Sequence, residues 1–233
     1  MKKAIKELAP GDIFTYAGED FVVLEHSDDG VLILACEKCE DSAFQTEMSD
    51  TMNDYLSSEL KKTIEGFVNL LGASGASNDD FVPFVLDRNE TDMSGGYGDL
   101  AVYAAPLTLW QYGKFRGIIP SVNYKWWLAT PYATRRQNSP YIDGVNAVFY
   151  VDDAGFVCTG ICEEELGVRP ALKLDPEVLV SISDAEDDCE ECDGFCECDN
   201  YHVDLSRVST VDLLQELRER LEREAKAEEE PNE

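Results

Sequence analysis

The densest group of side chains able to do chemistry is the run Cys189-x2-Cys192-x3-Cys196-x-Cys198 near the C-terminal end of the chain. Zn²⁺ takes four N or S ligands in a tetrahedron at about 2.0 to 2.3 Å, so four thiols meet its ligand count. The spacing is cramped, however, because zinc knuckles bring two ligand pairs together across about a dozen residues or more. The surrounding carboxylates attract cations but also raise thiol pKa values, which opposes the thiolate a metal requires. Cys36-x2-Cys39 and Cys158-x3-Cys162 could each supply a second pair. Unliganded or redox-labile thiols are the expectation for Cys189, Cys192, Cys196 and Cys198, with zinc as the alternative. Calcium is a further candidate at the turn residues Asp143, Asp152 and Asp153, although no EF-hand spacing is present.

Other catalytic inventories are thin. His26 and His202 are the only two histidines, which leaves little for a Ser-His-Asp or Cys-His arrangement. Neither GxxxxGK[ST] nor GxGxxG occurs, and Ser94-Gly95-Gly96-Tyr97-Gly98 reads as a flexible loop. No resident cofactor and no enzymatic activity are therefore expected. A formal charge of −29 disfavours nucleic acid and anionic membranes, whose binding depends on Lys and Arg.

The elements that must position these residues read as follows. Asp12 to Tyr16, Phe21 to Glu25 and Val31 to Ala35, separated by Gly- and Asp-bearing turns, predict a β meander. Leu56, Leu60, Ile64 and Phe67 fall on one face of a helix predicted over 55–68. Phe81 to Leu86 predicts a short strand confined to an edge or bulge by Pro83, and 88–99 a polar loop. Leu107 to Phe115 has helical character, and Lys125 to Pro131, Ala147 to Val151, Phe156 to Gly160 and Gly167 to Leu174 predict strands. Short strands with one or two inserted helices give an α+β class. In an extended strand Trp126 and Trp127 face opposite sides, one into the core and the other toward solvent or a second layer. Arg169, between Val168 and Pro170, is expected to be a structural charge paired with a buried carboxylate, with a ligand clamp as the alternative.

Trp126-Trp127-Leu128-Ala129-Thr130-Pro131, the Asp152-Asp153-Ala154-Gly155 turn and Gly167-Val168-Arg169-Pro170-Ala171-Leu172 resemble a bacterial and phage family, domain of unknown function 6273. Gly11-Asp12, Phe21 to Leu24 and Asn53-Asp54-Tyr55 with Ser57 and Leu60 are similar to its opening hairpin and helix entry. Ala129 departs from it where an Arg is frequent, so that Arg's role does not transfer. The resemblance implies a C-type-lectin-like fold with a mixed or antiparallel sheet, shared by formylglycine-generating enzymes and retroelement variable proteins. It implies a structural motif at Trp126, Trp127, Gly167, Arg169 and Pro170, whose two segments lie side by side in one sheet.

Residues 1–178 are therefore assigned to the lectin-like domain, 179–203 to an acidic cysteine-bearing linker, and 204–230 to a C-terminal amphipathic helix. The linker carries no Lys or Arg between Asp184 and Asp199. The helix has Ser209 as N-cap and a stripe of Val211, Leu214, Leu217 and Leu221. The start lacks the apolar run of a signal peptide and no stretch reaches the roughly 18 apolar residues of a membrane span. Cytosolic synthesis without membrane insertion follows, with virion association an option the resemblance adds. The function expected is a non-catalytic recognition or structural module, binding a protein or glycan through loops carrying Tyr97, Tyr132 and Tyr141. A metal- or thiol-dependent enzyme distantly like the formylglycine-generating group is the alternative.

Overall fold

In a computed structural model the structure describes residues 2–91, 95–134 and 144–182, all within the first of the two units into which the chain divides, Met1–Asp184. The linker cysteines and the C-terminal helix predicted from Ser209 lie outside the described residues.

The described chain is α+β, with mostly antiparallel sheets and two α-helices. Its largest sheet has seven antiparallel strands. These are β1 (Lys2–Ala4), β2 (Ile13–Tyr16), β3 (Glu19–Ser27), β4 (Gly30–Ala35), β8 (Ala104–Ala105), β13 (Ala171–Leu174) and β14 (Leu179–Ser181), in the order β1-β14-β2-β3-β4-β13-β8. β14 pairs with β1 and β2, so the sheet runs past the boundary placed at 178. The second sheet is mixed. It contains β5 (Glu40–Ala43), β9 (Trp126–Pro131), β10 (Ala147–Val151), β11 (Val157–Ile161) and β12 (Glu165–Val168), ordered β11-β10-β9-β12-β5. A hairpin of β6 (Phe84–Asn89) and β7 (Gly96–Val102) replaces the loop predicted over 88–99.

Alternation along the strands builds three cores. In β3, Phe21 and Val23 join one cluster while Val22 and Leu24 join another across the sheet. In β4, Val31 and Ile33 pair off from Leu32 and Leu34 in the same way, and all six β4 residues are buried. Helix α1 (Glu59–Ala73) closes the first cluster with Phe67 and Leu71 and the third with Leu60 and Ile64. Helix α2 (Leu109–Phe115) covers the opposite side of the large sheet with Tyr112 and Phe115.

Helix α1 begins four residues later than the apolar spacing predicts. Ser58 Oγ accepts from the Lys61 amide, while Tyr55–Ser57 forms a separate 3-10 turn whose Leu56 is exposed. Thr108 and Gln111 cap α2 reciprocally.

The strand predicted over 167–174 is two strands in two sheets. β12 pairs in parallel with β9 through Gly167 and Trp126, whereas β13 pairs with β4 and β8. Arg169 and Pro170 form the crossover between them. The tryptophan doublet and the Gly-Val half of the motif are thus neighbours, and the motif's Ala-Leu half belongs to the other sheet.

Candidate functional site

At this crossover a cleft of about 220 Å³ opens between the end of α2, the loop 119–122 and the turn after β10. Trp126, Tyr112 and Arg169 line its inner wall, and Arg116, Asp152, Asp153 and Gly155 stand around it.

Each inner residue is fixed by the fold. Trp126 and Trp127 point to opposite faces of β9 and both are buried, so the second layer rather than solvent receives the outer one. Trp127 packs edge-on against Phe44 and donates its indole N–H to the Ser42 carbonyl at 2.9 Å. Trp126 meets Tyr112 edge to face with ring centroids 5.6 Å apart. The Tyr112 hydroxyl donates to the Gly155 carbonyl at 2.8 Å, tying α2 to the turn. Within that turn Asp152 Oδ1 accepts from the amides of Ala154 and Phe156, at 3.0 and 2.8 Å.

Arg169 is 1% exposed. Its guanidinium carbon lies 4.9 Å from the Trp126 ring centroid, a cation–π distance. Nε donates to the Ala35 carbonyl at 3.0 Å, and Nη1 to the Pro120 carbonyl at 3.4 Å. Nη2 is buried and has no hydrogen-bond partner among the described residues. The buried carboxylate expected opposite Arg169 is not among its partners; main-chain oxygens and an indole face occupy those positions. The Ala35 amide also donates to the Pro170 carbonyl at 3.0 Å, so both crossover residues are anchored on the end of β4. Burial lowers the Arg169 pKa, countered by Tyr124, Cys36 and Glu37 nearby. An unpaired buried donor on a cation costs about 1 to 3 kcal/mol or more, so this cleft wall retains an unmet demand for an oxygen acceptor.

The tyrosines expected to contact ligand are placed differently from one another. Tyr97 is half-buried in β7, its hydroxyl donating to Asn53 Oδ1 at 2.8 Å, and burial pushes its pKa up to about 12. Tyr132 is exposed at the end of β9 and packs on Phe149 with centroids 6.0 Å apart. Tyr141 lies outside the described residues, as does Asp143.

Beneath the hairpin β6–β7 sits a polar network whose residues the sequence ties to the helix entry. Asn53 Nδ2 donates to the carbonyls of Ala133, Gly144 and Ala147, at 2.8, 3.0 and 3.0 Å. Asp54 accepts from Arg88 at 2.5 Å in a buried ion pair, and also from the Leu56 amide. Arg88 reaches the Tyr97 and Gly98 carbonyls, and Glu90 accepts from the Thr134 hydroxyl at 2.5 Å. These groups satisfy one another and hold the loop bases.

The four described cysteines are unbridged. Burial pushes Cys36 and Cys39 up to about 11, and raises Cys162 further. His26 Nε2 lies 2.7 Å from the Leu8 carbonyl and donates to it. Among the described residues no group of three or more His, Cys, Asp or Glu is placed to hold a metal ion, and no helix is long and apolar enough to cross a membrane.

Sequence reasoning singled out Arg169, Trp126 and Asp152 but not their convergence with Tyr112, Arg116 and Pro120. The bracketing of α2 by Pro106 and Pro120 was the one available signal, since it placed a chain reversal just before the tryptophans. Comparisons with family models, with curated proteins and with solved structures gave no match.

Proposed function

We propose that the described domain is a non-catalytic recognition module that holds its ligand in the cleft against Arg169. The observation that carries this is the buried Nη2 of Arg169, without a partner among the described residues, in a side chain that lines the cleft together with Trp126 and Tyr112. Folded domains pair nearly all buried donors, and an exception at a concave surface is where a ligand acceptor fits. The Trp-Trp and Gly-Val-Arg-Pro resemblance to domain of unknown function 6273 supports a lectin-like module of bacterial or phage origin, in which binding rather than turnover is the task. The thiol-dependent alternative draws little support from Cys36 and Cys39, whose burial disfavours the nucleophilic thiolate.

A second reading, a protein or glycan partner on the loops, is favoured by one observation: the exposed Tyr132, just past β9, packs on the half-buried Phe149 of β10. Amide shift mapping of the full ¹⁵N-labelled chain against a fragment set tests the two together. Hits that move Ser121, Val122 and Gly155 support the cleft. Hits confined to Tyr132 and Phe149 support the loops and overturn the cleft.

A further inference from the structure

We propose that this cleft selects a small zwitterion of the α-amino-acid class, with the carboxylate on Arg169 and the ammonium on Asp152 and Asp153. The inference rests on the cleft reading above and adds the chemistry of the ligand.

Three observations set that chemistry. Arg169 offers a cation with donors to spare, because among the described residues Nη2 has no partner and Nη1 has the 3.4 Å contact to Pro120 alone. A carboxylate that displaces the Pro120 contact meets both Nη groups, the two-pronged geometry for which a planar guanidinium is built. Trp126 covers one face of that guanidinium, so the ligand approaches in its plane.

The lining of the cleft also carries negative charge. Asp152 Oδ1 is occupied by two turn amides, whereas among the described residues its Oδ2 has only the Cys158 thiol at 3.9 Å. Asp153 stands exposed beside it. Two carboxylates in the lining repel a dianion such as phosphate, as does the chain's formal charge of −29. They attract an ammonium. Arg116 is also on the rim and exposed, which leaves the mouth mixed in sign and the fixed cation at depth.

Size supplies the third constraint. A cleft of about 220 Å³ lies below the roughly 300 to 1,000 Å³ of pockets for drug-sized ligands, so a compact molecule fits better than an oligosaccharide. A carboxylate and an ammonium on adjacent atoms of such a molecule match a compact cleft whose lining holds both Arg169 and the Asp152 and Asp153 carboxylates.

The test is titration of the full chain with L-alanine, glycine, acetate, methylammonium and inorganic phosphate, read by amide shifts at Gly155 and Ser121. The amino acids should bind about tenfold more tightly than acetate, and phosphate should move neither amide. Asp153→Asn alters an exposed side chain and leaves the fold intact. It should remove most of the amino-acid preference, about fivefold to tenfold, while acetate binds no more weakly than before. Arg169→Lys should weaken both carboxylates, with the far-ultraviolet spectrum showing whether the fold persists. Equal binding of acetate and amino acids, or amino-acid affinity untouched by Asp153→Asn, overturns the zwitterion. A different fragment class bound at Gly155 and Ser121 sinks the zwitterion alone, and a cleft that no fragment enters sinks the site with it.

Discussion

The Tyr97 hydroxyl donates to the Oδ1 of Asn53 at 2.8 Å, and through Asn53 the β6–β7 hairpin is joined to both ends of the loop between β9 and β10. Asn53 is fully buried, and its amide nitrogen serves three main-chain carbonyls. Asn53→Ala leaves those carbonyls and the tyrosine hydroxyl short of partners, so it should destabilise the domain by about 2 to 4 kcal/mol. Tyr97→Phe removes only the donor and should cost about 0.5 to 1.5 kcal/mol. Urea denaturation of both variants decides the matter: a smaller loss for Asn53→Ala than for Tyr97→Phe would show that the clamp does not hold the loops.

The first hairpin contains a residue working against its own backbone. Ala17 has φ of 51° and Gly18 of 89°, the pair of positive values that a two-residue turn of the mirror-image type demands between right-twisted strands. Glycine meets this demand without strain, whereas a Cβ in the left-handed region costs about 1 to 2 kcal/mol. Ala17→Asn places a residue that tolerates this region at the first turn position. It should raise stability by about 0.5 to 1 kcal/mol in thermal or urea unfolding, and a loss of stability would mean that Ala17's packing outweighs its strain.

How far the sequence foretold the fold depends on whether local pattern or tertiary pairing decides each element. The meander was legible because β-branched runs alternate with Gly and Asp turns. The opposed faces of Trp126 and Trp127 follow from strand geometry alone. β5 was not legible, since Glu-Asp-Ser-Ala is polar and is held in the sheet by pairing with β12. β7 read as a loop because Gly96, Gly98 and Asp99 are poor strand formers, and its pairing with β6 overrides that propensity. The break at Arg169 and Pro170 was hidden inside one continuous apolar run. As for the cleft, residue type marked Arg169 as unusual, but only the tertiary path of loop 119–122 shows that carbonyls stand where a carboxylate was expected.

Burial should make the Cys36 thiol slow and the fold alkali-sensitive. Its pKa rises from 9.0 to about 11, chiefly through desolvation, with Asp20 and Glu37 adding to the rise and Arg169 opposing it. At pH 8 the native thiol should alkylate on the order of 100-fold more slowly than in the urea-unfolded chain, from the thiolate fraction alone. The folded state holds this proton more tightly than the unfolded state. Its contribution to stability is therefore complete below about pH 9 and lost as pH rises through about 11. Cys36→Ala should flatten that part of the pH profile, and an unchanged slope between pH 9 and 11 would assign the loss to other groups.

Gly167 is where β12 meets the tryptophan-bearing strand β9, and its lack of a side chain is what allows the close approach. It pairs with Trp126 as the register point recorded between β12 and β9, and its amide donates to the Lys125 carbonyl at 2.8 Å. A Cβ built there would stand 2.9 Å from the Tyr124 ring and 3.0 Å from the Lys125 carbonyl oxygen. The ring can shift, but the oxygen belongs to the very strand being paired. Gly167→Ala should therefore cost about 1 to 3 kcal/mol, the range for overpacking a close-packed interior. Because Arg169 follows two residues later, the same change should also disturb the amides lining the cleft. Amide shifts at Ser121 and Gly155 that stay at their wild-type positions in a destabilised Gly167→Ala would show that strand pairing and cleft geometry are independent.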